Sequence, residues 1–235
     1  TGAAVSFIKG MDDSFYRMET TDHRVTNDVM ELGYRGVTNS TSTLNAATLR
    51  FLNRMGLLAT SHWSEYKGST MALDSLLGIR YIITPTYHCP QDGYVSVYDD
   101  ENHSVYRTPY ALSLAYAARE AVRTCDVTTP TLHPLERQNR WVAAMTGNDR
   151  PLYLPLKARA EFDHVRYELM ELGDDRVLYY ELLSDVYMEN KEKIEAGEID
   201  AGDLFAPESG LTFDITVEHD GILYFYIPTE YPNDV

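Results

Sequence analysis

Long apolar runs are missing from this 235-residue chain. The best stretch, Leu76-Leu77-Gly78-Ile79-Arg80-Tyr81-Ile82-Ile83, is short and carries a charge, and it falls far below the roughly 20 residues that cross a bilayer as a helix. Positive charge is scarce: 20 Lys and Arg stand against 36 Asp and Glu, a net of −16. Such a surface repels phosphate backbones and anionic headgroups, which excludes nucleic acid as a partner. Only two cysteines are present, Cys89 and Cys125. The neighbouring His88 is too close along the chain to Cys89 to share one ion with it, so no zinc site is expected. The seven histidines show no His-x-His or His-Glu-x-x-His spacing. Ser75 lacks the Gly-x-Ser-x-Gly elbow, and no glycine-rich phosphate loop appears. No nucleophile–base pair is visible, no metal and no cofactor is implied, and the chain is not expected to turn over a substrate by itself.

What is abundant is tyrosine, 18 residues against 7 Phe and 2 Trp. Tyr suits half-buried strands and wet contact surfaces, because its ring is apolar and its tip is polar. With 44% hydrophobic residues the chain can build a proper core. The acidity is uneven. Residues 1–150 hold 14 Lys/Arg and 16 Asp/Glu, a net of −2, whereas residues 151–235 hold 6 and 20, a net of −14. This shift predicts a domain boundary between Arg123 and Leu156. The expected architecture is α+β: a mixed α/β domain over 1–130, then a helix and a mainly antiparallel, jelly-roll-like β-sandwich over 131–235.

Local patterns fill in this outline. Phe15 to Glu19 reads as a strand. Thr43 to Met55 reads as a helix, with Leu44, Ala47, Phe51, Leu52 and Met55 on one face, Ser42 or Thr43 as cap, and Gly56 as terminator. A short helix from Thr70 to Leu77 leads into a buried-type strand, Ile79 to Thr84, stopped by Pro85. Tyr94 to Tyr98 and Ser104 to Arg107 form a hairpin around Asp99-Asp100-Glu101-Asn102. A further strand is expected at Leu114 to Ala118. Pro134 opens a helix that Gly147 closes, with Leu135, Val142 and Met145 on its inner face. Beyond Arg150, strands are expected at Glu161–Leu172, Val177–Val186, Leu211–Glu218 and Ile222–Pro228. The last two are joined by an Asp220-Gly221 turn. Glu189 to Asp203 reads as an exposed acidic insertion with one helical turn.

Asp99-Asp100-Glu101 reads as a solvated turn, because neighbouring carboxylates point apart on a strand. Asn39-Ser40-Thr41 and Asn102-His103-Ser104 fit the glycosylation sequon, a pattern common by chance. The polar segment from Asn27 to Ser42 offers Asn27, Tyr34, Arg35, Asn39 and Ser42, donors beside an aromatic ring that suit sugar hydroxyls. The same groups equally suit the backbone of a long loop, which needs internal hydrogen bonds to be ordered. Cys89 and Cys125 are either a disulfide or two thiols; spacing alone chooses neither.

Several short runs resemble, in their shared order, the extracellular region of the YfhO family of bacterial membrane proteins. They are Phe15-Tyr16-Arg17-Met18-Glu19, Asn27-Asp28, Gly33-Tyr34-Arg35-Gly36-Val37 and Ser40-Thr41-Ser42-Thr43. Tyr66-Lys67-Gly68-Ser69-Thr70 follows, then Asp74 through Ile83, Pro109-Tyr110-Ala111-Leu112 and Pro134-Leu135-Glu136-Arg137-Gln138-Asn139. Tyr224-Phe225-Tyr226-Ile227-Pro228 resembles the family's late strand, but Thr229-Glu230-Tyr231-Pro232 departs from its Gly-Trp turn.

The resemblance implies a parent with many transmembrane helices, similar to glycosyltransferases that use lipid-linked sugars to decorate envelope polymers such as teichoic acids. Its catalytic carboxylate is expected between early membrane helices, so no residue here inherits that role. The chain, which opens Thr1-Gly2-Ala3, is then expected to be a piece of that parent on the outer face of the plasma membrane, truncated at its C-terminal end. Its expected partners are the parent's own membrane helices and a cell-wall glycopolymer or lipid-linked sugar. The competing role is a structural module with no glycan binding. The implied extracellular setting favours a Cys89–Cys125 disulfide, with Cα atoms under about 7 Å apart. For a polyanionic acceptor, the near-neutral first half is the expected contact, at Arg17, Asn27, Tyr34, Asn39 and Tyr66.

Overall fold

The computed structural model describes residues 1–86, 88–90, 93–127, 129, 132–156, 158–163, 165–171, 178–200, 210–218 and 220–226. Helix α1 (Gly2–Met11) buries Ala4, Val5 and Ile8, the i, i+1, i+4 face of an amphipathic helix. Strand β1 (Arg17–Thr20) follows. The predicted loop after it holds the single turn α2 (Asp28–Glu31) and the two-residue strand β2 (Asn39–Ser40). Helix α3 (Ala46–Arg54) comes next, then β3 (Leu58–Ala59), β4 (Trp63–Glu65), α4 (Met71–Leu77) and β5 (Ile79–Pro85). Strands β6 (Val95–Asp99) and β7 (His103–Arg107) form the expected hairpin. A 3-10 turn at Glu120–Thr124 precedes α5 (Pro134–Thr146).

Four of these strands make a mixed sheet in the order β1-β5-β7-β6, with β1 parallel to β5 and the other pairs antiparallel. Strand β5 is buried on both faces, which explains its near-continuous apolar sequence. Tyr81 and Ile83 meet α1 and Met18 on one face, and Ile82 meets Leu49, Leu52 and Leu73 of α3 and α4 on the other. A second, three-stranded antiparallel sheet runs β2-β4-β3.

Helix ends follow sequence chemistry with one correction. The cap of α3 is Asn45, whose side chain accepts from the amides of Ala47 (2.8 Å) and Thr48 (3.2 Å), rather than Ser42 or Thr43. Its inner face is carried by Leu49 and Leu52, while Ala47 is exposed. Thr70 caps α4 through the Leu73 amide, and Gly78 ends it at φ 68°, a left-handed conformation that favours glycine. Helix α5 runs from Pro134 to the Gly147 cap as its sequence predicts, but its buried residues are Pro134, Arg137 and Gln138. Leu135, Val142 and Met145 are only half-buried. The reason is polar docking. Arg137 donates to the Arg54 carbonyl and Gln138 donates to the Met55 carbonyl at 2.9 Å, so α5 satisfies the orphan carbonyls at the end of α3. Gln138 also accepts from the Thr70 hydroxyl at 2.7 Å, tying in the start of α4.

The remaining strands also correct the sequence reading. Leu114–Ala118 forms no strand. The segment expected to be one strand from Glu161 is divided into β8 (Ala158–Asp163) and β9 (Val165–Glu171). Strand β9 pairs antiparallel with β10 (Leu178–Ser184), and β8 pairs antiparallel with β11 (Gly210–Ile215). The chain at 222–226 forms no strand; His219, just before the expected turn, and 227–228 lie outside the described residues. The acidic stretch beginning near Glu189 belongs to a three-turn helix, α6 (Asp185–Glu195). The chain is thus α+β. It divides into two compact units, Thr1–Leu152 with Ile222–Val235, and Tyr153–Gly221.

Candidate functional site

The first unit contains a shallow cleft of about 320 Å³ lined by Lys9, Tyr16, Met18, Gly33, Tyr34 and Arg35. Helix α1 supplies Lys9 from its last turn, where a cation complements the helix dipole. The Lys9 ammonium donates to the Leu32 carbonyl at 2.9 Å. The segment bearing Arg35 is pinned to β1, because the Met18 amide donates to the Arg35 carbonyl at 2.9 Å. Beside the cleft lies Phe15, 40% exposed. The Arg35 guanidinium sits 4.9 Å from its ring centroid and that of Arg17 sits 6.0 Å away. Arg80 lies over Tyr16 at 5.7 Å, but it is paired with Asp12 at 2.8 Å. Lys9, Arg17 and Arg35 have no carboxylate in ion-pair range among the described residues. In a chain of net charge −16, three uncompensated cations beside one cleft and an exposed ring are a distinct local feature.

The five residues expected at a ligand site are distributed differently. Arg17 donates to the Leu77 carbonyl and so caps the end of α4 while bordering Phe15. Tyr34 lines the cleft with its ring buried; burial first, then the charges of Glu19 and Asp28, push its hydroxyl pKa upward. Asn27 is committed to the backbone: it donates to the Ser40 carbonyl at 3.1 Å and accepts from the Ser40 amide at 2.9 Å. Asn39 is half-buried on β2, opposite Ser64. Tyr66 is buried and donates to Asp74 at 2.8 Å. Asn27, Asn39 and Tyr66 do not line the cleft. Both cysteines are thiols, Cys89 exposed and Cys125 half-buried.

Sequence reasoning passed over a buried polar network. Glu19, fully buried, accepts from the amides of Val37 and Thr38 and, at 3.1 Å, from the Thr38 hydroxyl. The ring of His23 lies 3.4 Å from it. Thr38 in turn accepts from the Tyr66 amide at 2.9 Å. Asp74, also fully buried, accepts from the hydroxyls of Ser69 (2.6 Å), Tyr66 (2.8 Å) and Tyr94. Burial raises the Asp74 pKa to about 6 against the opposing pull of these three hydroxyls, and Glu19 adds a smaller upward push. The signal in the sequence was Asp74, the lone carboxylate among the mostly apolar residues of 71–77; Glu19, close to Arg17 and followed by Thr20, gave none. Sealed from solvent, Glu19 holds the Val37–Thr38 segment against β1, and Asp74 gathers Ser69, Tyr66 and Tyr94. Among the described residues no group of three His, Cys, Asp or Glu is arranged to hold a metal ion.

A family profile described as "Bacterial membrane protein YfhO" matches residues 2–234. The chain belongs to the YfhO family. No curated protein and no solved structure matches it. Membership makes this a chain of a bacterial membrane-protein family in which, among the described residues, no helix is long and apolar enough to cross a membrane.

Proposed function

We propose that this chain is an extracellular accessory region of a multi-spanning YfhO-family membrane protein, and that it positions an anionic envelope glycopolymer for sugar transfer catalysed elsewhere in the parent. The observation that carries this reading is the cleft flanked by Lys9, Arg17 and Arg35 beside the exposed Phe15. Guanidinium groups offer a fork of donors to phosphate oxygens, and aromatic rings offer a face to a sugar. The first half, at a net of −2, does not repel a polyanion as the second half does at −14. The contact centres on Arg35, Lys9 and Tyr16, with Arg17 and Tyr34 adjoining. Titration with a short synthetic glycerol-phosphate oligomer, followed by NMR, should shift resonances of Lys9, Phe15, Tyr16 and Arg35. Shifts confined to residues after Pro155, or none, would refute the placement.

A second reading, a structural module seated against the parent's membrane helices, is favoured by exposed apolar side chains in the first unit, at Leu152, Ile222, Leu223 and Phe225. It predicts that the parent fails to assemble when these leucines become Ser, with oligomer binding intact. On either reading the chain alone transfers no sugar; turnover of a lipid-linked donor by it would overturn both.

A further inference from the structure

We propose that Phe15 is a positioning residue, which holds the Arg35 guanidinium at the rim of the cleft and thereby sets the affinity for an anionic group there. This rests on the cleft being the ligand site. The argument begins with Arg35. Its side chain is exposed and has no carboxylate to fix it, while its backbone is fastened to β1 through the Met18 amide. An exposed arginine loses much rotamer freedom when it closes on a ligand. Its only aromatic partner among the described residues is Phe15, at 4.9 Å from the ring centroid.

Phe15 is itself anchored. Arg17 lies 6.0 Å from the same ring, and the Arg17 guanidinium is fixed by the Leu77 carbonyl at the end of α4. The order then runs outward from a rigid helix end to Arg17, to Phe15, to the exposed Arg35. The ring remains 40% exposed beside these two guanidiniums.

A double-mutant cycle tests this with the intact chain and a short synthetic glycerol-phosphate oligomer as probe. Arg35→Ala should weaken binding about tenfold or more, the scale of a charge-assisted contact. Phe15→Leu, which keeps every charge, should weaken it about two- to fivefold, the scale of an exposed cation–π stack. Phe15→Tyr should restore wild-type affinity. In the Arg35→Ala background, Phe15→Leu should have no further effect. In the free chain, the ring-current shift of the Arg35 side-chain protons should disappear with Phe15→Leu. A Phe15→Leu loss that persists without Arg35, or wild-type affinity in Phe15→Leu, would overturn the positioning role while leaving the cleft as the site. Absence of binding by the wild type overturns the site reading, and the positioning role with it.

Discussion

Replacing Asp74 with Asn should remove a pH dependence that the wild type carries in its core. Asp74 is fully buried and faces three hydroxyls, from Ser69, Tyr66 and Tyr94, and at longer range the carboxylate of Glu19. Desolvation outweighs those hydroxyls, so the native carboxyl titrates at about 6 instead of 3.8. Folding therefore takes up a proton. The contribution of this group is fully present below pH 3.8, and it is lost as pH rises through about 6. At about 1.4 kcal/mol for each pH unit, the wild type loses ~3 kcal/mol through this group between pH 4 and pH 7. Asn cannot ionise. The destabilisation caused by Asp74→Asn should accordingly be largest near pH 4 and shrink by ~3 kcal/mol towards pH 7. Urea unfolding at fixed pH steps measures it. Trp63 and Trp141 both lie in the unit containing Asp74, so their fluorescence reports that unit. A wild-type–variant difference that stays flat with pH, or grows as pH rises, would show that Asp74 is held ionised and would refute the reasoning.

Other outcomes follow from single contacts. Gly68→Ala should lower stability by roughly 2 kcal/mol or more, because Gly68 lies at φ 81° and a Cβ there would stand 2.5 Å from the Gly56 carbonyl oxygen. Gly10→Ala, with nothing within 4 Å of the added carbon, should be neutral or slightly stabilising in the same denaturation assay. Asp12→Asn keeps one acceptor oxygen, so it should lose the charge and either the Arg80 and Tyr81 bonds, both 2.8 Å, or those from Ser14, at a cost of about 1–2 kcal/mol at pH 7. Burial pushes the Asp12 pKa up, but Ser14, Tyr81 and Arg80 pull it well below 3.8, so this stabilisation holds above pH 3.8 and fades as pH falls through the depressed native value. Alkylation without reductant, read by mass spectrometry, should label both cysteines. Cys89 should react first, because burial raises the Cys125 pKa. Protein that is unlabelled until reductant is added, with a peptide linking Cys89 to Cys125 by mass, would instead show the disulfide.

Elements whose ends are written in local chemistry were legible before any coordinates. Thr70 and Gly78 bracket α4, Pro134 and Gly147 bracket α5, and the apolar run of β5 announced a strand covered on both faces. What stayed hidden depended on distant partners. Nothing near Arg137 or Gln138 says that the carbonyls of Arg54 and Met55, 83 residues earlier, turn α5 polar side inward. The pairing of β11 with β8 bypasses β9, β10 and α6, with a partner about fifty residues back that no local signal announces. The site shows the same division. Of the residues singled out in the sequence, Tyr34 lines the cleft and Arg17 borders Phe15 beside it, and the family match covers nearly the whole chain. Asn27 and Tyr66 had been absorbed by Ser40 and Asp74, and the sequence named the donors without naming what they would meet.

The return of the chain at Ile222 sets the order in which the first unit can be completed during synthesis. The first unit comprises Thr1–Leu152 and the segment from Ile222 onward. Tyr226 closes edge-on against His133 with ring centroids 5.1 Å apart. That contact joins residues 93 positions apart, and every residue of the Tyr153–Gly221 unit is synthesised between them. The mixed sheet and α5 emerge first and can assemble while translation continues. They gain the Tyr226 contact only after the intervening unit has been synthesised.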